Sequence, residues 1–65
     1  MITVNGKERE LPRELTLAEF LEQENYKVSR IAVELNGEII PKATYADVLL
    51  HSGDVLEVVS FVGGG

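Results

Sequence analysis

Cysteine is absent from all 65 residues. That one absence removes disulfides, thiolate metal ligands and a thiol nucleophile together, so packing alone has to hold the fold. It also agrees with a reducing compartment. Basic charge is scarce: six Lys and Arg stand against eleven Asp and Glu, for a net charge of −5. Binding to a phosphate backbone relies on Lys and Arg, so no nucleic acid is expected as partner, and a basic protein surface is. Long apolar runs are missing as well. No window approaches the roughly 18 apolar residues of a membrane span, so no membrane partner is expected. The opening Met1-Ile2-Thr3-Val4-Asn5-Gly6 lacks the basic-then-apolar order of a signal peptide, which makes a cytoplasmic location the expectation.

Histidine, the usual acid-base group near neutral pH, occurs once. His51 lies beside Ser52 with Asp47 and Asp54 nearby in sequence, but nothing suggests an oriented serine or an oxyanion hole, so it reads as an exposed turn residue. The acids are scattered as on a solvated face, and a cleft for paired carboxylates does not suit so small a body. Gly63-Gly64-Gly65 lacks the following helix and lysine of a phosphate-binding loop. The residues therefore point to no catalytic group, no metal and no bound cofactor.

What is present is 45% hydrophobic residues in short, alternating runs. A chain this small forms one domain and buries only about 60% of its unfolded surface. Ile2-Thr3-Val4 alternates and meets Asn5-Gly6, the pair that best accepts positive φ at both centres of a type I′ turn, so a hairpin is expected with a charged edge strand over Lys7 to Leu11. Pro12, with no N–H for a ladder, closes it. Thr16-Leu17-Ala18-Glu19 spells a capping box, with Leu15 placed to staple onto Phe20. Leu17, Phe20 and Leu21 make one apolar stripe on a helix of two or three turns ending around Asn25.

Ile31, Val33 and Leu35 alternate along a central strand, Asn36-Gly37 repeats the hairpin signal, and Glu38 to Ile40 returns before Pro41. Lys42 to Leu50 is ambiguous; Tyr45, Val48 and Leu49 at i, i+3 and i+4 permit one helical turn, with Thr44 the available cap. Ser52-Gly53-Asp54 turns into a last strand over Val55 to Val62. With Glu57 facing water, Leu56 and Val58 point to the core, and Val55, Val59 and Phe61 share the outer side. The last strand is expected beside the first, because Ile2, Val4, Leu56 and Val58 need one common cover. The result is a two-layer α+β domain, a mixed sheet of four to five strands on one helix.

Phe61-Val62-Gly63-Gly64-Gly65 is the stretch that points to a function. A Gly-rich end alone is what a frayed tail looks like. Here a strong strand delivers the glycines with no polar linker between. Three residues without a Cβ can reach roughly 10 Å past the strand, at about 3.3–3.6 Å each, and enter a narrow cleft of a partner enzyme. The expected division is a domain over 1–62 and a flexible glycine tail over 63–65, with the Gly65 carboxyl as the reacting group and Gly63 and Gly64 giving access. Val59, Phe61 and Val62 form a candidate docking surface, unless a helix or loop covers them.

These features, taken with Ala32-Val33-Glu34-Leu35-Asn36-Gly37 and the Gly53-Asp54 turn, resemble the ubiquitin-like β-grasp sulfur carriers along the whole chain, and most closely the thiamin-biosynthesis carriers. The resemblance implies a carrier and not an enzyme. In such a carrier the last glycine, here Gly65, is adenylated by an ATP-dependent E1-like enzyme and becomes a thiocarboxylate. It also implies a sulfur-donating protein as partner and thiazole synthase as the acceptor, with ATP used only by the activating enzyme. Three alternatives stay open: the small subunit of molybdopterin synthase, a ubiquitin-type modifier joined to lysines, and an interaction module with an idle tail.

Overall fold

Both Asn-Gly pairs do what their chemistry favours. In the computed structural model, which describes residues 1–61, Asn5 and Asn36 each take φ 51°, followed by Gly6 at 82° and Gly37 at 87°. Positive φ at both turn centres twists the hairpins in the sense that strands prefer. The first turn joins β1 (Ile2–Val4) to β2 (Lys7–Arg9), and the second joins β3 (Ile31–Leu35) to β4 (Glu38–Ile39). The last strand, β5 (Val55–Ser60), enters between the hairpins, giving the order β2-β1-β5-β3-β4. It runs parallel to β1 and antiparallel to β3, so the sheet is mixed and five-stranded.

One helix, α1 (Leu17–Gln23), crosses the sheet. Its capping box is complete: Glu19 N–H donates to Thr16 Oγ1 at 3.1 Å, and Thr16 N–H donates to Glu19 Oε1 at 2.9 Å. Asn25, at φ 64°, ends the helical run where the sequence predicts. Leu17, Phe20 and Leu21 are buried against Ile2, Val4, Ile31, Val33, Leu56 and Val58, and Leu15 joins the same core. Fully burying one such aliphatic side chain stabilises by about 1.5–3 kcal/mol, which is what holds a seven-residue helix too short to persist alone. Arg9 and Glu24 form a two-pronged ion pair at 2.6 and 2.8 Å that joins β2 to the helix end.

Four boundaries depart from the sequence reading. β2 stops at Arg9 rather than Leu11, because Arg9 already pairs with Ile2 at the start of β1; Leu11 instead packs on the core. β4 stops at Ile39, although Ile40 N–H still donates to the Val33 carbonyl at 3.0 Å. β5 stops at Ser60, opposite Ile31, where its partner strand begins. The ambiguous segment is a 3₁₀ helix over Lys42–Asp47, capped by no side chain; the Thr44 hydroxyl donates to the Pro41 carbonyl at 2.8 Å within the turn.

The Tyr45-Val48-Leu49 stripe fails for a related reason. Beyond Asp47 the chain is extended, Leu17 N–H donates to the Val48 carbonyl at 2.7 Å, and Leu50 N–H donates to the Leu15 carbonyl at 2.9 Å. Alternation then turns Leu50 inward, at 0% exposure, and Leu49 outward, at 45%. A second 3₁₀ turn, Val28–Arg30, has no counterpart in the sequence reading.

Candidate functional site on the last strand

Strand β5 is the element on which the candidate site is built. Its inner residues Leu56 and Val58 are buried, while Val55, Val59 and Phe61 are exposed at 45%, 58% and 52%. The expected register is therefore the one observed, and among the described residues nothing covers Val59 or Phe61. Ala32 lies directly across from Val59 on β3 and is half-buried. Lys42 Nζ stands 5.8 Å from the centre of the Phe61 ring, within cation–π range. One row further along, Glu34 and Glu57 face each other across the β3–β5 ladder, with Ile39 on the far side of Glu34. The outer face thus carries apolar residues beside two acids, which suits a partner surface that is apolar and basic.

Just beyond the β3–β5 ladder, Phe61 N–H donates to the Arg30 carbonyl at 2.7 Å, the last such tie among the described residues. Val62, Gly63, Gly64 and Gly65 lie outside the described residues, and with them the expected docking role of Val62, the access role of Gly63 and Gly64, the reacting carboxyl of Gly65 and the 62/63 domain boundary.

Two side chains that sequence reasoning treats only as turn formers turn out to hold β5. Asn5 Oδ1 accepts from Val58 N–H at 2.7 Å, and Asn5 Nδ2 donates to the Val58 carbonyl at 3.2 Å. On the other edge, Asn36 Oδ1 accepts from Val55 N–H at 2.9 Å and Asn36 Nδ2 donates to Asp54 Oδ1 at 3.0 Å. The signal was the choice of Asn over Asp or Gly at both turns, since only Asn offers a donor and an acceptor together.

Among the described residues no catalytic constellation accompanies them. His51 is exposed, and the Asp54 carboxylate is engaged by the His51 backbone N–H at 2.7 Å, as expected of a turn. Among the described residues no group of His and acids could hold a metal ion. A shallow depression of about 270 Å³ lies by the helix, lined by Arg13, Leu15, Glu19, Glu22 and Gln23. It lacks a nucleophile and a titrating base suited to neutral pH. No helix among the described residues is long and apolar enough to cross a membrane.

A mixed five-strand sheet packed on a single helix, with its last strand threaded between two hairpins, defines a ubiquitin-like β-grasp domain. Residues 2–65 match the ThiS family, and the chain belongs to it. The sulfur carrier protein ThiS of Bacillus subtilis is 38% identical over 66 residues, covering 100% of both chains. The crystal structure of the thiamine biosynthesis protein ThiS from Geobacter metallireducens superposes with a TM-score of 0.83 at 31% identity, over 98% of this chain and 97% of that one. A thiazole synthase of Paramagnetospirillum magneticum is 41% identical over 64 residues; the match takes in 98% of this chain and spans only 20% of that protein's length.

Proposed function

We propose that the chain carries sulfur as a thiocarboxylate on Gly65 and delivers it to thiazole synthase. Membership of the ThiS family makes it a sulfur carrier of thiamin biosynthesis, a small carrier protein rather than a catalyst. The observation that carries the finer reading is the placement of Phe61, an exposed apolar residue directly after β5, four positions before Gly65 with only valine and glycines between.

The chemistry follows from the residues. An α-carboxyl group has a pKa of about 3.5 and is ionised at neutral pH. One carboxylate oxygen attacks the α-phosphate of ATP held by an adenylating enzyme, and pyrophosphate leaves. Hydrosulfide from a donor then adds to the acyl carbon and AMP leaves, giving the thiocarboxylate and one proton. This chain has no cysteine, so the sulfur comes from another protein or from free sulfide. ATP is bound by the activating partner, and the carrier itself holds no cofactor. Val59 and Phe61 dock on that partner, and Gly63 and Gly64 pass its channel without a Cβ to obstruct them. The thiazole synthase relative that includes a segment like this chain supports that enzyme as the acceptor. Each step is set in the cytoplasm.

The test is Gly64→Ala with the adenylating enzyme, ATP and a sulfur donor. The expected outcome is an unchanged melting temperature with thiocarboxylate formation slowed at least about tenfold, the scale on which misplacing a reacting group slows a reaction. Formation at the wild-type rate would refute the role given to the glycines.

A further inference from the structure

Where β1 ends, β5 still needs a neighbour. Thr3 N–H donates to the Asp54 carbonyl and Asn5 N–H to the Leu56 carbonyl, both at 2.9 Å, in the regular parallel sequence. The next bond in that sequence would run from Val58 N–H to the backbone carbonyl of Asn5. The turn diverts that carbonyl, because Asn5 sits at φ 51°. Its side-chain amide takes over, with Oδ1 accepting from Val58 N–H and Nδ2 donating to the Val58 carbonyl. An amide is a copy of a peptide group, so the ladder gains one more rung without one more residue.

That rung is the last on its side among the described residues. Successive peptide groups alternate along a strand, and Phe61 N–H points to β3, so those of Ser60 point to the β1 side beyond Asn5. The run from Val58 to Phe61 is therefore fixed by Asn5 on one edge and by β3, ending at the Arg30 carbonyl, on the other.

We propose that Asn5 is a positioning residue for the transfer reaction: its side chain completes the β1–β5 ladder and so fixes the line along which Val59 and Phe61 meet the activating enzyme. This rests on the carrier reading above. Asn36 is the internal control. Its side-chain amide also holds β5, accepting from Val55 N–H and donating to the Asp54 carboxylate, but at the end remote from Phe61.

The test compares Asn5→Gly with Asn36→Gly, since glycine keeps the positive φ of either turn and removes only the amide. Amide exchange of Val58 is measured against Val33 by NMR, and KM and kcat for the chain are measured with the adenylating enzyme by pyrophosphate release. For Asn5→Gly, Val58 exchange is expected to rise about tenfold relative to Val33, the factor that losing one hydrogen bond of ordinary net strength gives. KM should rise by about the same factor, with kcat within about twofold, as for a loss of binding alone. Asn36→Gly, at a comparable loss of melting temperature, should keep the wild-type KM. Equal KM changes in the two variants, or a wild-type KM in Asn5→Gly, would overturn the proposal. If Asn5→Gly does not fold, Asn5→Asp takes its place: it keeps the acceptor for Val58 N–H, sets an oxygen against the Val58 carbonyl, and should fall between wild type and the full loss, while a wild-type KM there overturns the proposal. If the wild-type chain is not adenylated at all, the carrier reading fails, and the exchange ratio alone decides whether Asn5 fixes β5, an unchanged ratio overturning that as well.

Discussion

The Tyr45 hydroxyl is buried and, among the described residues, has no hydrogen-bond partner. Burial pushes its pKa up; the nearby Val33 backbone counters this only in part and does not form a bond of regular geometry. An unpartnered buried hydroxyl contributes little, so Tyr45→Phe should leave the melting temperature unchanged or raise stability by up to about 1 kcal/mol; a loss of that size in thermal unfolding would mean the hydroxyl is satisfied. Glu19 shows the reverse case. The Thr16 backbone N–H, and then its hydroxyl, hold the Glu19 carboxyl below its ordinary 4.5. A depressed carboxyl contributes stability that is present above its unfolded pKa and is lost as pH falls through the lowered native value. Glutamine can still accept from Thr16 N–H but carries no charge, so Glu19→Gln should be less stable than wild type near neutral pH and draw level with it as pH falls to about 3, read from urea midpoints at each pH. Parallel acid profiles for the two proteins would contradict this.

Among the elements, those with a strong local pattern were legible and those fixed by a partner were not. Thr16-Leu17-Ala18-Glu19 announced the helix because a capping box is written in four adjacent residues, and all its bonds are present. Asn5-Gly6 and Asn36-Gly37 announced the hairpins for the same reason. Strand ends were not legible, since β2 and β5 stop where β1 and β3 run out of residues to pair with. Nor was the 48–50 segment, whose period is set by bonds to Leu15 and Leu17 more than 30 positions away in the chain. It yields a sharp contrast: Leu50→Ala should cost about 2–5 kcal/mol in unfolding free energy, as full burial implies, whereas Leu49→Ala should cost less than about 1 kcal/mol. A reversed order would restore the helical stripe.

For the whole molecule, the pairing of first and last strands was inferred from the need to cover Ile2, Val4, Leu56 and Val58 together, and the parallel β1–β5 ladder satisfies it. The outward face of β5 followed from alternation alone. The choice of Asn at both turns hinted at a role for the amides, but not where they bind, because Asn5 and Val58 are 53 positions apart and no local pattern links them. A carrier needs only a scaffold that presents one end of its chain, and the scaffold described here leads from a firmly paired strand to Phe61 and the glycines. The most direct measurement is the intact mass of the purified chain after incubation with adenylating enzyme, ATP and sulfur donor, with fragmentation to place any change. The expected result is one oxygen replaced by sulfur on Gly65, dependent on ATP. An unchanged mass, or sulfur at any other residue, would contradict the central claim.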